Sequence, residues 1–257
     1  MKEEKLPPKT RLLPILVFIL LVGIWFGLSL LGVYTESAFP SPQSVAKGFV
    51  EEVKAGRLFD DLIASIFRVA SGFALAVALG IPLGLALGER ARARRALLPT
   101  INFFRNLSPL AWIPFAILWF GIGDRPAIFL IFMASFFPIV LATIAAVASI
   151  PAVYFRVAEN YGYKGAELFT QVTLPAIAPQ VITALRITAG LAWVVVVAAE
   201  LIAGRDGLGF AIWDARNALR VDLLVVNMIV IGAIGVVIDR LLLLLTRLPS
   251  IRWGYER

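Results

Sequence analysis

The 257-residue chain contains neither cysteine nor histidine. Without cysteine it can form no disulfide and no thiolate nucleophile or metal site. Without histidine it lacks the commonest general base and the commonest metal ligand. No Gly-x-x-x-x-Gly-Lys-Ser/Thr sequence occurs, so the chain cannot hydrolyse ATP with a P-loop of its own. These absences argue against most kinds of catalysis.

Charge is also scarce, since 16% of the residues are charged against about 25% in average globular chains. Apolar residues make up 60% of the chain, which is more than a soluble domain of this length can bury. The composition therefore predicts a membrane protein. The net charge of +7 is explained by cytoplasmic lysine and arginine rather than by nucleic-acid binding.

Hydrophobic runs predict six membrane-spanning helices, because about 20 apolar residues cross a hydrocarbon core of about 30 Å. The first run, about residues 12–35, is too long for a signal peptide and has a poor cleavage site, so we expect a retained anchor helix. The predicted fold is an all-α integral membrane bundle. The other five predicted spans are residues 62–88, 97–120, 126–148, 177–203 and 223–245.

The placement of lysine and arginine predicts that both termini lie in the cytoplasm. With the N-terminus inside, fourteen of these residues are cytoplasmic and seven lie opposite, which is the bias seen in membrane proteins. We expect residues 1–61 to form the anchor helix and an external segment with a short amphipathic helix at 44–55. Residues 62–246 would form the main helical bundle, and residues 247–257 a cytoplasmic tail.

A row of small residues at every fourth position marks the second span and predicts close packing against another helix. A hinge or pore-lining role is the alternative, and Pro82 could add a kink. The row consists of Gly72, Ala76, Gly80, Gly84 and Gly88.

Ionisable residues inside spans are costly and are therefore functional candidates. Arg68 lies near the external end of its span, where its side chain could snorkel to the interface, so a structural role is expected. Arg186 and Glu200 are about 21 Å apart along one helix, so each needs a partner on another helix, a water-filled path or the membrane surface.

Arg105 is followed by Asn106 and Ser108, a polar group that cannot face lipid. A structural and a functional role are both open for Arg105 and Glu200. The candidates for the translocation path or its gate are Arg105, Asn106, Ser108, Trp112, Arg186 and Glu200.

The polar interval at residues 151–175 is predicted to form two short helices broken at Gly162. In the second of these helices Leu168, Phe169 and Val172 share an apolar side, and Leu174-Pro175 is expected to stop the helix and start the next. Such a segment can lie on lipid or dock into a groove of a soluble partner.

Gly162, nine residues, Val172, one residue and Leu174-Pro175 resemble the EAA loop of permease subunits of ABC-type importers. The family's glutamate position is Arg156 here, and Glu159 is a neighbouring acidic residue. Residues 107–123, 191–200 and 207–216 also resemble the subgroup that imports nitrate, sulfonates, taurine or bicarbonate. The likeness covers about residues 60–246.

The resemblance implies a channel-forming subunit without catalytic residues, metal or bound cofactor, in the inner membrane of a prokaryote. Two copies would face each other as a homodimer across a central path. Two cytoplasmic P-loop ATPase subunits would hold ATP and Mg, and a periplasmic or lipid-anchored solute-binding protein would deliver substrate to segments 34–61 and 204–222. The loop residues implied in ATPase coupling are Arg156, Glu159, Gly162, Lys164, Gly165, Glu167, Val172, Leu174 and Pro175.

Three other functions are considered. A self-contained secondary transporter or channel would need no ATPase. A membrane enzyme acting on lipid or peptide would need a clustered nucleophile or acid–base set. An exporter or a cofactor importer would belong to the same family and carry a different substrate.

If the chain is an anion importer, Arg105 with Asn106 and Ser108 would form a positive patch on the anion path. Glu200 would be a gate or brace bonded across the bundle.

Overall fold

A computed structural model describes residues 12–32 and 34–245, and all regular structure in these ranges is helical. The basic residues before Leu12 and the predicted tail at 247–257 lie outside the described residues. The helices are α1 (Leu13–Leu30), α2 (Pro42–Ala55), α3 (Arg57–Glu89), α4 (Ala91–Asn106), α5 (Ile113–Phe120), α6 (Asp124–Ala148), α7 (Ala152–Asn160), α8 (Ala166–Leu168), α9 (Leu174–Ala203), α10 (Leu208–Asn217) and α11 (Val221–Leu245).

The predicted row of small residues on α3 lies directly against α6. A Cβ atom built on Gly72 would stand 2.8 Å from Ile131, and one built on Gly88 would stand 2.7 Å from Val147. Ala76, between them, is fully buried. The two backbones therefore approach as closely as glycine allows, which is how helices associate without a hydrophobic drive from the lipid.

Each contact in this interface joins residues with the same separation in sequence. Gly80 faces Ile139, and Gly84 faces Thr143, as Gly72 faces Ile131. A constant separation means that α3 and α6 run parallel. The chain between them must therefore return from the end of α3 to the start of α6, along the length of the bundle.

This return is a broken segment, so the prediction of one continuous helix over 97–120 is wrong. Helix α4 ends at Asn106, Leu107 and Ser108 are extended, and a 3₁₀ turn at Pro109–Trp112 leads into α5. The physical reason is Pro109, which has no amide hydrogen to continue the helix and forces the residue before it out of the helical region.

Five helices are long and apolar enough to cross a membrane: Leu13–Leu30, Arg57–Glu89, Asp124–Ala148, Ala166–Ala203 and Val221–Leu244. The prediction of an all-α membrane bundle is confirmed. The count of six crossings, with the broken return segment as one of them, and the cytoplasmic position of the termini stay predictions.

The helix that contains α9 does not stop at Leu174-Pro175, which corrects the prediction of a break there. It runs without interruption from Ala166 to Ala203. A π-helical turn at Phe169–Thr173 immediately precedes the proline. Wider turns of this kind are a common way for a helix to absorb a local irregularity.

Helix α1 stands apart from the bundle. None of its residues is buried, and the indole Nε1 of Trp25 donates a hydrogen bond to the Pro40 carbonyl at 3.1 Å. Helix α2 occupies the segment for which an amphipathic helix is predicted. The Ser41 hydroxyl caps it by accepting from the Ser44 amide at 3.2 Å.

Candidate functional sites: a buried charge cluster and an exposed loop

Arg68 is the centre of a buried charge cluster at one end of the bundle, which we call the charged end. Its side chain is 1% exposed, and its Nε atom lies 2.7 Å from a carboxylate oxygen of Asp124. Its Nη1 atom donates to Glu200 at 2.7 Å and to the Asp206 carbonyl at 2.8 Å, and Nη2 binds the Asp206 carboxylate. One guanidinium thus joins α3, α6, α9 and the loop before α10.

Arg68 therefore does not snorkel to the membrane interface, and its structural role is to hold elements of the bundle together. A guanidinium with three carboxylates around it gains more from charge-assisted hydrogen bonds inside the protein than from reaching water. Two of the partners, Asp124 and Asp206, are about half exposed.

Glu200 is completely buried, and its carboxylate is satisfied by other elements of the bundle. It accepts from Arg68, from the Ser65 hydroxyl at 2.9 Å and from the Gly209 amide at 2.9 Å. The sequence left a partner on another helix, a water-filled path or the membrane surface as alternatives for Glu200, and the structure contains the first of these. A charge buried in this way is tolerated because Arg68, Ser65 and Gly209 all donate hydrogen bonds to it.

The same side chains hold the N-terminus of α10, whose first amides have no partner within the helix. The Gly207 amide donates to Asp61 at 2.8 Å, and the Leu208 amide donates to the Ser65 hydroxyl at 3.0 Å. The Gly209 amide donates to Glu200, as described above. Three donors are thus satisfied by side chains from α3 and α9.

Gly207 has a structural reason to be glycine. Its φ is +100°, and a Cβ atom there would stand 2.5 Å from the Glu200 carboxylate and 2.7 Å from Arg68. A side chain at this position would separate the buried pair from α10.

Asp61, Ser65, Asp124 and Asp206 belong to the cluster but were not among the residues singled out from the sequence. Asp61, Ser65 and Arg68 follow one another by four and three residues, so they share a face of α3. This spacing could have indicated two of the four.

Arg186 also finds its partner on another helix. Its Nε and Nη2 atoms bind the two carboxylate oxygens of Asp239 at 2.7 and 2.8 Å, joining α9 to α11. The pair is partly exposed. Such a bidentate arrangement fixes the relative position of the two helices.

A third tie joins α2 to the start of α11. Arg220 binds Glu51 at 2.9 Å and Asp222 at 2.8 Å. The hydrogen bond and charge of Arg220 lower the pKa of the exposed Glu51 carboxyl below its ordinary value.

The remaining pathway candidates lie at the break in the return segment. Arg105, Asn106 and Ser108 are exposed, and Arg105 makes no ion pair within residues 12–32 and 34–245. Trp112 is half-buried beside the rings of Phe104, Phe115, Trp119 and Phe129. Irregular backbone at membrane depth needs protein or a water-filled cavity around it, which suits a pathway.

The predicted coupling segment is an exposed loop at the opposite end, which we call the loop end. Helix α7 ends at Asn160, and the chain reverses at Gly162, where φ is +82° and the amide donates to the Glu159 carbonyl at 3.0 Å. The predicted break at Gly162 is therefore present. The Ser149 hydroxyl at the end of α6 donates a hydrogen bond to Gln180 of α9 at 3.1 Å, which joins the two helices that flank the loop.

The side chains of this loop are arranged as the amphipathic pattern predicts. Leu168, Phe169 and Val172 are half-buried. A groove of about 300 Å³ opens beside them, and it is lined by Tyr154, Val157, Ala158, Tyr161, Tyr163, Gln171, Val172 and Ala176. The predicted loop residues that are exposed are Arg156, Glu159, Gly162, Lys164, Gly165, Glu167, Leu174 and Pro175.

No group of three or more carboxylates that could hold a metal ion is present among the described residues. The structure therefore has two candidate functional regions. At the charged end, ion pairs hold several helices together, and at the loop end an aromatic loop is exposed.

These features define a helical membrane protein with several spanning helices, and sequence comparison specifies its family. Residues 76–249 match the family of binding-protein-dependent transport system inner membrane components. The chain therefore belongs to this family, whose members are permease subunits of ABC transporters, and it is a multi-pass inner-membrane protein.

Two curated relatives and one solved structure illustrate the relationship. The chain is 34% identical over 228 residues to the taurine transport system permease protein TauC of Escherichia coli, covering 85% of this chain and 82% of TauC. It is 38% identical over 191 residues to the bicarbonate transport system permease protein CmpB of Synechococcus elongatus, covering 74% and 69%. The fold resembles the inward-facing MetNI methionine ABC transporter, with a TM-score of 0.60 at 20% identity, over 74% of this chain and 97% of that one.

Proposed function

We propose that the chain forms half of the membrane path of an ATP-driven importer for a small anion of the nitrate, sulfonate or taurine, or bicarbonate class. Family membership gives the role of permease subunit. The substrate class is supported by the names of two relatives, which transport taurine and bicarbonate.

The exposed loop around Gly162 is the observation that carries the proposal. It presents aromatic and charged side chains around an open groove instead of burying them against the other helices. An amphipathic segment of this kind fits a groove on a partner protein. A separate cytoplasmic P-loop ATPase, holding ATP and Mg, is the partner that the permease family works with.

Arg156 and Glu159 give the loop one exposed charge of each sign on α7. They are three residues apart, so they lie on one face of the helix. Glu159 could therefore meet a basic group of the ATPase, while Arg156 would meet an acidic one. This arrangement differs from the family pattern, in which a glutamate takes the place of Arg156.

The complete importer would contain two copies of this chain, two ATPase subunits and a solute-binding protein. At the charged end, α2, α10 and the Arg220–Glu51 pair form the surface to which the binding protein would deliver substrate. Arg105, Asn106 and Ser108 would offer donors to the anion inside the membrane. This chain would bind no nucleotide.

The first test is gentle purification of the tagged chain from its native membrane, followed by mass spectrometry of the proteins that accompany it. Recovery of a P-loop ATPase in equal amount is expected. A chain that purifies alone would instead favour a self-contained channel or transporter.

The second test is the Gly162→Pro variant in proteoliposomes containing the ATPase. Proline cannot adopt a φ of +82° and removes the hydrogen bond to Glu159. We expect ATP hydrolysis to continue without anion uptake. Gly23→Ala, in open space on α1, is the control and should leave coupling intact. Normal coupling in Gly162→Pro would show that the loop is not the docking element.

A further inference from the structure

An apolar groove on the membrane-spanning surface carries a single charged group. The groove has a volume of about 340 Å³ and runs between α3, the end of α5 and α6. Arg125 is its one charged lining residue. The remaining lining residues are Leu75, Leu79, Phe120, Ile128, Phe129 and Phe132.

Arg125 is the second residue of α6 and is exposed. Within the described ranges it makes no ion pair. The neighbouring Asp124 does not neutralise it, because the Asp124 carboxylate binds Arg68 at 2.7 Å. Since α6 is long and apolar enough to span the membrane, a cation at its first turn lies at the level of the lipid headgroups.

We propose that this groove is a binding site for a phospholipid, whose phosphate binds Arg125 and whose acyl chain fills the apolar part. A guanidinium donates two parallel hydrogen bonds to a phosphate. Phe132 lies about 10 Å further along α6, so the apolar surface continues from the headgroup level towards the membrane centre.

The charge at the mouth selects the headgroup. No carboxylate lines the groove, so the ammonium group of a zwitterionic lipid would find no partner there. A lipid with net negative charge, such as phosphatidylglycerol, is therefore favoured. This site is independent of the transported substrate and of the ATPase.

The test is native mass spectrometry of the purified chain titrated with phosphatidylglycerol and, in parallel, with phosphatidylcholine. We expect one phosphatidylglycerol to be retained in preference, and Arg125→Gln to weaken its apparent affinity by roughly tenfold, as expected for the loss of one charged hydrogen-bonding group. Arg205→Gln, an exposed arginine at the same end but outside the groove, should retain the lipid.

A second variant tests the apolar part. Leu79 is 55% exposed, so Leu79→Trp should fold normally while filling the groove and displacing the lipid. Equal retention by Arg125→Gln and the unaltered chain, or equal loss from Arg205→Gln, would overturn the proposal. So would disulfide-linked dimers of Leu79→Cys, because the chain has no other cysteine and the link would place a second copy over the groove.

Discussion

Replacing Arg68 with methionine removes the cation from the buried cluster while keeping an unbranched, flexible side chain. Glu200 is completely buried and would keep only the Ser65 hydroxyl and the Gly209 amide as donors. Asp124 and Asp206 are about half exposed and would be hydrated instead. The cost of the substitution therefore falls mainly on Glu200.

Removing one partner of a buried ion pair costs about 3–5 kcal/mol, because the other charge stays buried without compensation. For a chain of this size, each kcal/mol lowers the unfolding temperature by about 2–4 °C. We expect Arg68→Met to unfold roughly 6–20 °C below the unaltered chain.

Combining Arg68→Met with Glu200→Gln should restore most of this loss. A glutamine is neutral, and its amide oxygen can still accept from Gly209. Replacing both members of a buried pair is often close to neutral, so the double variant should be more stable than Arg68→Met alone.

Thermal unfolding of the chain in lipid nanodiscs measures these differences, with all variants scanned at one rate. Arg205→Met, an exposed arginine beside the cluster, is the control and should shift the unfolding temperature little. If Arg68→Met unfolds with the unaltered chain, or if the double variant is less stable than Arg68→Met, the cluster is not held together by a buried charge pair.

Two further predictions concern the pathway and the helix interface. Arg105→Ala should abolish anion uptake without affecting copurification of the ATPase, whereas Arg105→Lys should keep part of the uptake because it keeps the charge; unchanged uptake by Arg105→Ala would remove it from the path. Gly84→Val should separate α3 from α6, because even a Cβ atom at this position would stand 2.5 Å from Thr143. Its unfolding temperature in nanodiscs should fall well below that of Gly23→Val, which meets open space, and equal values would contradict the packing described above.

Local patterns in the sequence predict the features that depend on residues close together in the chain. The row from Gly72 to Gly88 predicts a close helix contact because positions four apart share a face. The amphipathic loop and its reversal at Gly162 follow in the same way from spacing and from glycine. These patterns do not identify the partner helix. The row of small residues predicts a close contact but does not show that the contact is with α6.

Long-range pairing explains where sequence reasoning failed. Arg68 meets Asp124, 56 residues away, and Asp206, 138 residues away, so nothing near Arg68 in the chain indicates that it is buried. The break after Asn106 and the uninterrupted helix at Pro175 show a different difficulty. Both sites contain proline, and surrounding structure decides whether the helix ends or continues through a wider turn.

The uninterrupted helix at Pro175 bears on how the two ends of the bundle communicate. Glu167 in the exposed loop and Glu200 in the charge cluster belong to one helix, Ala166–Ala203, and are about 50 Å apart along it. Glu200 in turn binds the Gly209 amide of α10 and the Arg68 guanidinium of α3. A displacement of the loop would therefore not be lost at a break beside Pro175, and the buried pair would pass it to α10. In the proposed importer, driven from the cytoplasm, this continuous helix would provide a direct mechanical link between the ATPase side and the substrate entrance.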